Sequence, residues 1–141
     1  MEYAFAMVNS REKGKRGELQ AAEALGRLGL DCRRSAQYCG KAGDADLVCD
    51  GVNLHFEVKL VERLNPYRFI DQAVTDSRAS GKTPVVVMRS SHRPWLVCLR
   101  LDDVAPFIRE IIRENADLRS ELAREAVRAQ GLPREPMADL A

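Results

Sequence analysis

The residues best equipped for chemistry in this chain crowd into one segment, GDADLVCDGVNLHFEVKL, which carries Asp44, Asp46, His55, Glu57 and Lys59. Val52, Leu54, Phe56, Val58 and Leu60 alternate with Asn53, His55, Glu57 and Lys59, the period of a half-buried strand. Asp50-Gly51 between two apolar runs is a strong hairpin signal. With those two residues as the turn, Cys49 pairs with Val52, Leu47 with Leu54, Asp46 with His55 and Asp44 with Glu57. Facing residues of an antiparallel pair share a face. This register therefore gathers Asp44, Asp46, His55, Glu57 and Lys59 on one side and leaves Leu47, Leu54 and Phe56 to pack on the other. A three-residue loop would reverse the parity and scatter the cluster.

Carboxylates gathered in this way are costly unless neutralised, and a hard divalent cation held by oxygen ligands is the most economical neutraliser. Asp46 and Glu57 are diagonal neighbours in this register, roughly 7–8 Å apart at the backbone. That spacing suits joint coordination of one Mg2+ or Mn2+. Lys59, about 6.6 Å beyond Glu57 on the same face, is placed to orient a water or to offset charge building on a phosphoryl group. A metal there would lower the pKa of water, so the pattern outlines a phosphodiesterase site. His55 reads as a structural hydrogen-bonding partner, since nothing at its spacing makes a zinc site, and Asp44 as a loop acid or alternative ligand.

The elements that must position this segment read as a mixed α/β unit. A first helix is expected from Ser10, as N-cap, to Leu28, ending near Gly29. At 100° per residue, Ala21, Ala22, Leu25 and Gly29 fall within about 60° of Glu18, which puts this acid on the apolar stripe, toward the core. Residues 30–34 form a short strand, followed by the loop SAQYCGKAG. After the hairpin, Asn65 as N-cap and Pro66 at the first helical position open a second helix through Ala79. Its packing face is Tyr67, Ile70, Ala73 and Val74, and Gly81 is its stop. The apolar run 84–88 has the character of a strand buried on both faces, and residues 95–101, beginning at Trp95, form the last strand. Val104, Phe107, Ile108, Ile111 and Ile112 mark a helix that covers the sheet, and a charged helix spans 115–130. Residues 1–114 are thus expected to form one domain, and 115–141 a charged helix with a flexible tail.

Composition agrees with a single core. The chain has 141 residues, 45% hydrophobic and 30% charged, enough for one domain. Residues 1–100 carry 16 Lys and Arg against 12 Asp and Glu, and residues 101–141 carry 6 against 9, so a mildly basic body precedes an acidic tail. No apolar stretch approaches a membrane span and no export signal is evident, which predicts a cytoplasmic protein with no membrane partner. Cys32, Cys39, Cys49 and Cys98 lack both C-x-x-C spacing and the density of a secreted scaffold, and are expected as reduced thiols.

Asp46, followed after eleven residues by Glu57-Val58-Lys59 behind a helix that carries Glu18, resembles the PD-(D/E)xK nuclease superfamily over roughly residues 9–103. In order, NSREKGKRGE, RRSAQYCG, GDADLV, FEVKLVERLN, the Gln72-Ala73 pair and PVVVMRSSHRPWLVCL are similar to small phage and prophage endonucleases described as Holliday-junction resolvase-like. The resemblance implies an α/β restriction-endonuclease-like core, a mixed central sheet flanked by helices in αβββαββ order, here with a C-terminal helical extension. It further implies Mg2+-dependent DNA cleavage with Asp46, Glu57 and Lys59 as the catalytic set, Glu18 beside them, and the main-chain carbonyl of Val58 as a metal ligand. Ala45 stands where the superfamily name has its proline. Gln72 is followed four residues later by Asp76, so the glutamine motif of the exonuclease-like branches is half present and Gln72 is an accessory candidate.

The expected function is therefore a Mg2+- or Mn2+-dependent DNA endonuclease without organic cofactor, selective for branched DNA. Two symmetric cuts in a four-way junction demand a twofold homodimer, for which the helix around Phe107–Ile112 or the last helix offers a contact. Lys13, Lys15, Arg16, Arg33, Arg34 and Lys41 are candidate phosphate contacts, and Gln37 a candidate strand contact in the loop before the acids. No base-reading helix is evident, which favours recognition of DNA shape. A nicking enzyme or an exonuclease would share this core chemistry. A non-catalytic nucleic-acid-binding protein of the same fold would not need Glu18, Asp46, Glu57 and Lys59 intact.

Overall fold

The computed structural model describes residues 2–35 and 45–131, with backbone alone for 2–9. Five strands form one mixed sheet in sequential order: β1 (Cys32–Arg34), β2 (Leu47–Cys49), β3 (Leu54–Leu60), β4 (Thr83–Arg89) and β5 (Leu96–Cys98). β3 and β4 are parallel and the other neighbours antiparallel. A parallel pair needs a crossover, and α2 (Pro66–Ser77) supplies it. With α1 (Glu2–Gly26), α3 (Val104–Glu114) and α4 (Ala116–Gly131), the element order is the expected one.

The apolar run of β4 is buried on both faces: Val85, Val86 and Val87 are at most 1% exposed. Successive side chains leave the sheet on opposite sides, so this strand divides the interior. On one face Ala21 and Leu25 of α1, joined by Phe107 and Ile111 of α3, pack with Leu47, Leu54, Phe56, Val85 and Val87. On the other, Phe69, Ile70 and Ala73 of α2 pack with Val86 and Met88. Glu57 and Lys59 alternate with Phe56 and Val58, and so lie on the α2 side.

α1 begins at Glu2, not at Ser10. The residues before Ser10 include Glu, Ala and Met, with neither Gly nor Pro to break them, so helix propagation is cheaper than a new start at a serine cap. Its other end is the expected glycine stop. Leu30 N–H bonds Leu25 O at 3.2 Å, Gly29 N–H bonds Gly26 O at 3.0 Å, and Gly29 takes φ 84°, which is a Schellman cap with Leu25 and Leu30 packed together. Asn115 fastens α4 to this cap, donating to Leu28 O at 3.1 Å and accepting the Leu118 N–H at 2.9 Å.

α2 is capped by Asn65, whose Oδ1 accepts the Arg68 N–H at 3.3 Å. Its buried face is Phe69, Ile70, Ala73 and Ser77. Tyr67, expected on that face, is 86% exposed, because the helix is turned so that Phe69 fills the position beneath Lys59.

The β2–β3 register also departs from expectation. Asp50-Gly51 does form a tight turn, with Val52 N–H on Cys49 O at 3.2 Å. Among the described non-glycine residues only His92 has a positive φ, so Asp50 does not adopt the left-handed geometry that a two-residue primed hairpin requires at both positions. β3 begins at Leu54, and Leu47 faces Phe56 instead of Leu54. This two-residue shift preserves parity, and Asp46 comes level with Glu57 instead of His55.

The same sheet corrects the reading of two cysteines. Cys32 faces Cys49 with Cα atoms 4.4 Å apart, and their sulfurs are bonded. Such a separation is that of a non-hydrogen-bonded antiparallel pair, so strand pairing alone brings the thiols together. Cys98 is free. Among the described residues no helix is long and apolar enough to cross a membrane.

Candidate active site

Asp46 immediately precedes the first residue of β2, where β3 runs on without that neighbour. Its N–H bonds Phe56 O at 2.9 Å, and its C=O accepts the Ser35 N–H at 3.0 Å. Beyond this point β2 no longer supplies a ladder partner, and the Asp46 side chain takes its place: Oδ2 accepts the Val58 N–H at 2.8 Å. The carboxylate is thereby fixed against the backbone of the Glu57-Val58-Lys59 run.

Glu57 is 3% exposed. Its Oε1 accepts Gln72 Nε2 at 2.9 Å and lies 3.3 Å from Lys59 Nζ, while Oε2 is 4.0 Å from His55 Nε2. Lys59 Nζ in turn donates to Gln72 Oε1 at 2.9 Å and stands 5.6 Å from the centre of the Phe69 ring. Gln72, one helical turn from Phe69 on α2, therefore bridges the acid and the base. A lysine held by a carboxylate, an amide and an aromatic face has few alternative rotamers left.

Both acids are strained toward the protonated form. Burial raises the Glu57 pKa to about 7, the neighbouring Asp46 charge adds to the rise, and Lys59 offsets part of it. Asp46 is raised as well, chiefly by burial, against the opposing Val58 N–H, with Glu18 adding like charge. Two half-desolvated carboxylates that repel each other lack positive charge. Their donor atoms, together with the carbonyl of Val58 next to Glu57, are all hard oxygens, which fits a divalent cation of the Mg2+ type. Among the described residues there is no group of three His, Cys, Asp or Glu gathered to hold a metal, so such an ion would rest on this pair and the backbone.

Residues 9–129 match the family described as "Phage putative PDDEXK endonuclease". The chain belongs to this family of phage PD-(D/E)xK endonucleases. No curated protein matches it. Among solved structures it is similar to Hjc of Archaeoglobus fulgidus, a Holliday junction resolvase from an archaeal hyperthermophile. The two are 24% identical, with 62% of this chain and 72% of that chain covered and a TM-score of 0.48.

Within this PD-(D/E)xK endonuclease the expected residues divide into three groups. Asp46, Glu57, Lys59 and Gln72 are brought together, with His55 buried beside them. Glu18 reaches the same end of the sheet from α1, close enough to repel Asp46, and is held by Arg34 Nε at 2.6 Å. Asp44, Gln37 and Lys41 lie outside the described residues. Of the expected phosphate contacts, Arg33 is paired with Asp50 at 2.8 Å and Lys13 with Glu62 at 3.2 Å, while Lys15 and Arg16 are exposed. Asp76 was missed as a site residue, yet its charge adds to the rise of both Asp46 and Glu57. Its position four residues after Gln72, on the same helical face, was the available signal.

Proposed function

We propose that this chain is a divalent-metal-dependent DNA endonuclease acting on branched DNA. The observation that carries the proposal is the Asp46–Glu57–Lys59 group at one end of the sheet, two raised acids and a fixed ammonium joined through Gln72. A bound Mg2+ or Mn2+ supplies positive charge against phosphate oxygens and lowers the pKa of water. Asp46 and Glu57, with the Val58 carbonyl, would hold that ion. Lys59, aimed by Gln72, neutralises charge that builds on the phosphoryl group as a water attacks. Glu18, with Arg34 on its outer oxygen, closes the acidic wall. Arg34 would then serve first to position Glu18.

The preference for branched DNA is supported by the ordered motif blocks and by the lack, among the described elements, of a helix presented for base reading. Symmetric cutting of a four-way junction requires a twofold dimer. Leu101, Ile108, Leu122 and Val127 of the C-terminal third are exposed apolar side chains that such a contact would cover. Residues 115–131 are read as a helical extension of the nuclease domain, fastened through Asn115.

A panel of labelled four-way junction, flap, nicked and linear duplex DNA, incubated with Mg2+, tests this reading. Paired symmetric cuts on the junction by a species that sediments as a dimer support it. Preferential cutting of linear duplex would remove the branched-DNA assignment and keep the nuclease.

A further inference from the structure

Of the arginines near the group of acids, Arg34 is taken by Glu18. Arg16, Gly17 and Glu18 are consecutive on α1. Gly17 packs directly on Leu60, the residue after Lys59, and Glu18 faces Asp46. Arg16, on the other side of Gly17, lines a cleft of about 410 Å3 with Gln20, Leu60, Arg89, Ser91 and His92. In the sheet Arg89 lies level with Leu60. The cleft thus begins one residue beyond Lys59 along β3, but on the α1 face of the sheet, opposite the face that carries Lys59.

Arg89 is at the centre of this surface and has only neutral partners. Its guanidinium lies 4.7 Å from the centre of the Trp95 ring and donates to Gln20 Oε1. Its Nε–H is shielded from solvent without a hydrogen-bond partner. On the far side of Arg89, Arg93 lines an adjoining cleft with Trp95 and Pro94. Among the described residues Arg16, Arg89 and Arg93 form no ion pair, whereas Lys13, Arg33 and Arg34 are each held by a carboxylate.

The loop that completes the cleft is locked. Arg93 N–H closes a turn on Ser90 O at 3.2 Å, and His92 sits at φ 59°, a conformation that costs a non-glycine residue roughly 1 kcal/mol or more. Ser90 Oγ bonds Glu62 O at 3.1 Å, and Ser91 Oγ bonds the Glu62 carboxylate, which Lys13 also engages. Glu62, the acid that touches this loop among the described residues, is therefore already committed.

A guanidinium placed 4.7 Å from an indole centre, lining a cleft and without a counter-ion among the described residues, is arranged to receive an oxyanion. We propose that Arg16, Arg89 and Arg93 form a second backbone-phosphate site, which seats duplex DNA beside the scissile bond. This rests on the nuclease reading. It also relocates the strand clamp, from Arg33, Arg34 and Lys13, whose charges are engaged, to arginines whose charges are not. Because the contact is to phosphate, it contributes affinity and register without base preference.

Fluorescence anisotropy of labelled duplex, across about 0.05–0.3 M salt, tests the site with the full chain, R16Q/R93Q and R89Q. Each lost phosphate contact flattens the log K against log salt slope by about 0.9. R16Q/R93Q is expected to flatten it by about 1.8 and to bind about 30-fold more weakly at 0.15 M salt. R89Q is expected to flatten it by about 0.9. Arg16 and Arg93 are exposed, so this variant should melt with the wild type, and it decides the matter even if R89Q disturbs the Trp95 stack. If R16Q/R93Q keeps the wild-type slope while the wild type cleaves DNA, the phosphate site is wrong and the nuclease stands. A wild type that neither binds nor cleaves DNA would remove both.

Discussion

Glu57 is the acid that folding disturbs most, and its replacement has a calculable effect on stability. Its ordinary pKa of 4.5 is raised to about 7 by burial and by Asp46. Between those values the unfolded chain has released a proton that the folded chain still holds. Stability is therefore full below about pH 4.5 and falls as pH rises through about 7. At 1.36 kcal/mol per pH unit the whole loss is about 3 kcal/mol. Asp46 is shifted in the same direction and adds to the trend. Glu57→Gln removes the titrating group and keeps an oxygen for the Gln72 amide. In EDTA, urea unfolding of wild type and Glu57→Gln from pH 4.5 to 8 should show the variant gaining about 3 kcal/mol relative to wild type across the series, equivalent to about 10 °C for a chain of this size. Mg2+ at pH 8 should stabilise the wild type and leave the variant nearly unchanged, since only an ionised acid pair binds it well. Parallel pH curves for the two proteins would refute the claim that Glu57 is held ready for a cation.

Gln72→Ala removes the bridge between Lys59 and Glu57. A hydrogen bond to a charged group is worth about 1.5 kcal/mol, so kcat should fall about tenfold with DNA affinity retained; an equal loss in affinity would make Gln72 a binding residue. Gly17→Val places a Cβ 2.9 Å from Leu60 Cβ and should cost about 1–3 kcal/mol in urea unfolding, and a companion Leu60→Ala should recover part of that loss. The Cys32–Cys49 pairing predicts that thiol titration in denaturant finds two fewer thiols before reduction than after it. Equal counts would mean that both cysteines are free.

Much of this architecture was legible because local signals and burial agreed. The run 84–88 carried the pattern of a doubly buried strand, and Asn65-Pro66 the cap and first position of a helix. Glu18 was legible as a misplaced charge on an apolar stripe. The convergence of the acids on one face survived an error in register because it depends on parity alone, and a two-residue slip conserves parity. What escaped the sequence depended on pairing between distant segments. Cys32 meets Cys49 only once β1 is aligned on β2, and Arg33 and Arg34 read as free cations until Asp50 and Glu18 are placed beside them. Tyr67 and Phe69 could not be ranked without the rotation of α2 on the sheet. Arg89 was hidden for the same reason, since the Gln20 it donates to lies on α1, far from it in the sequence.

The central claim is that Asp46 and Glu57 hold a divalent metal for phosphodiester hydrolysis. Its most direct test is cleavage of a labelled four-way junction by wild type, Asp46→Asn and Glu57→Gln with Mg2+, with Mn2+ and with EDTA. Cleavage by the wild type with either metal, none in EDTA, and none by either variant despite retained DNA binding is the predicted result. Cleavage that persists in EDTA, or in both variants, would contradict it.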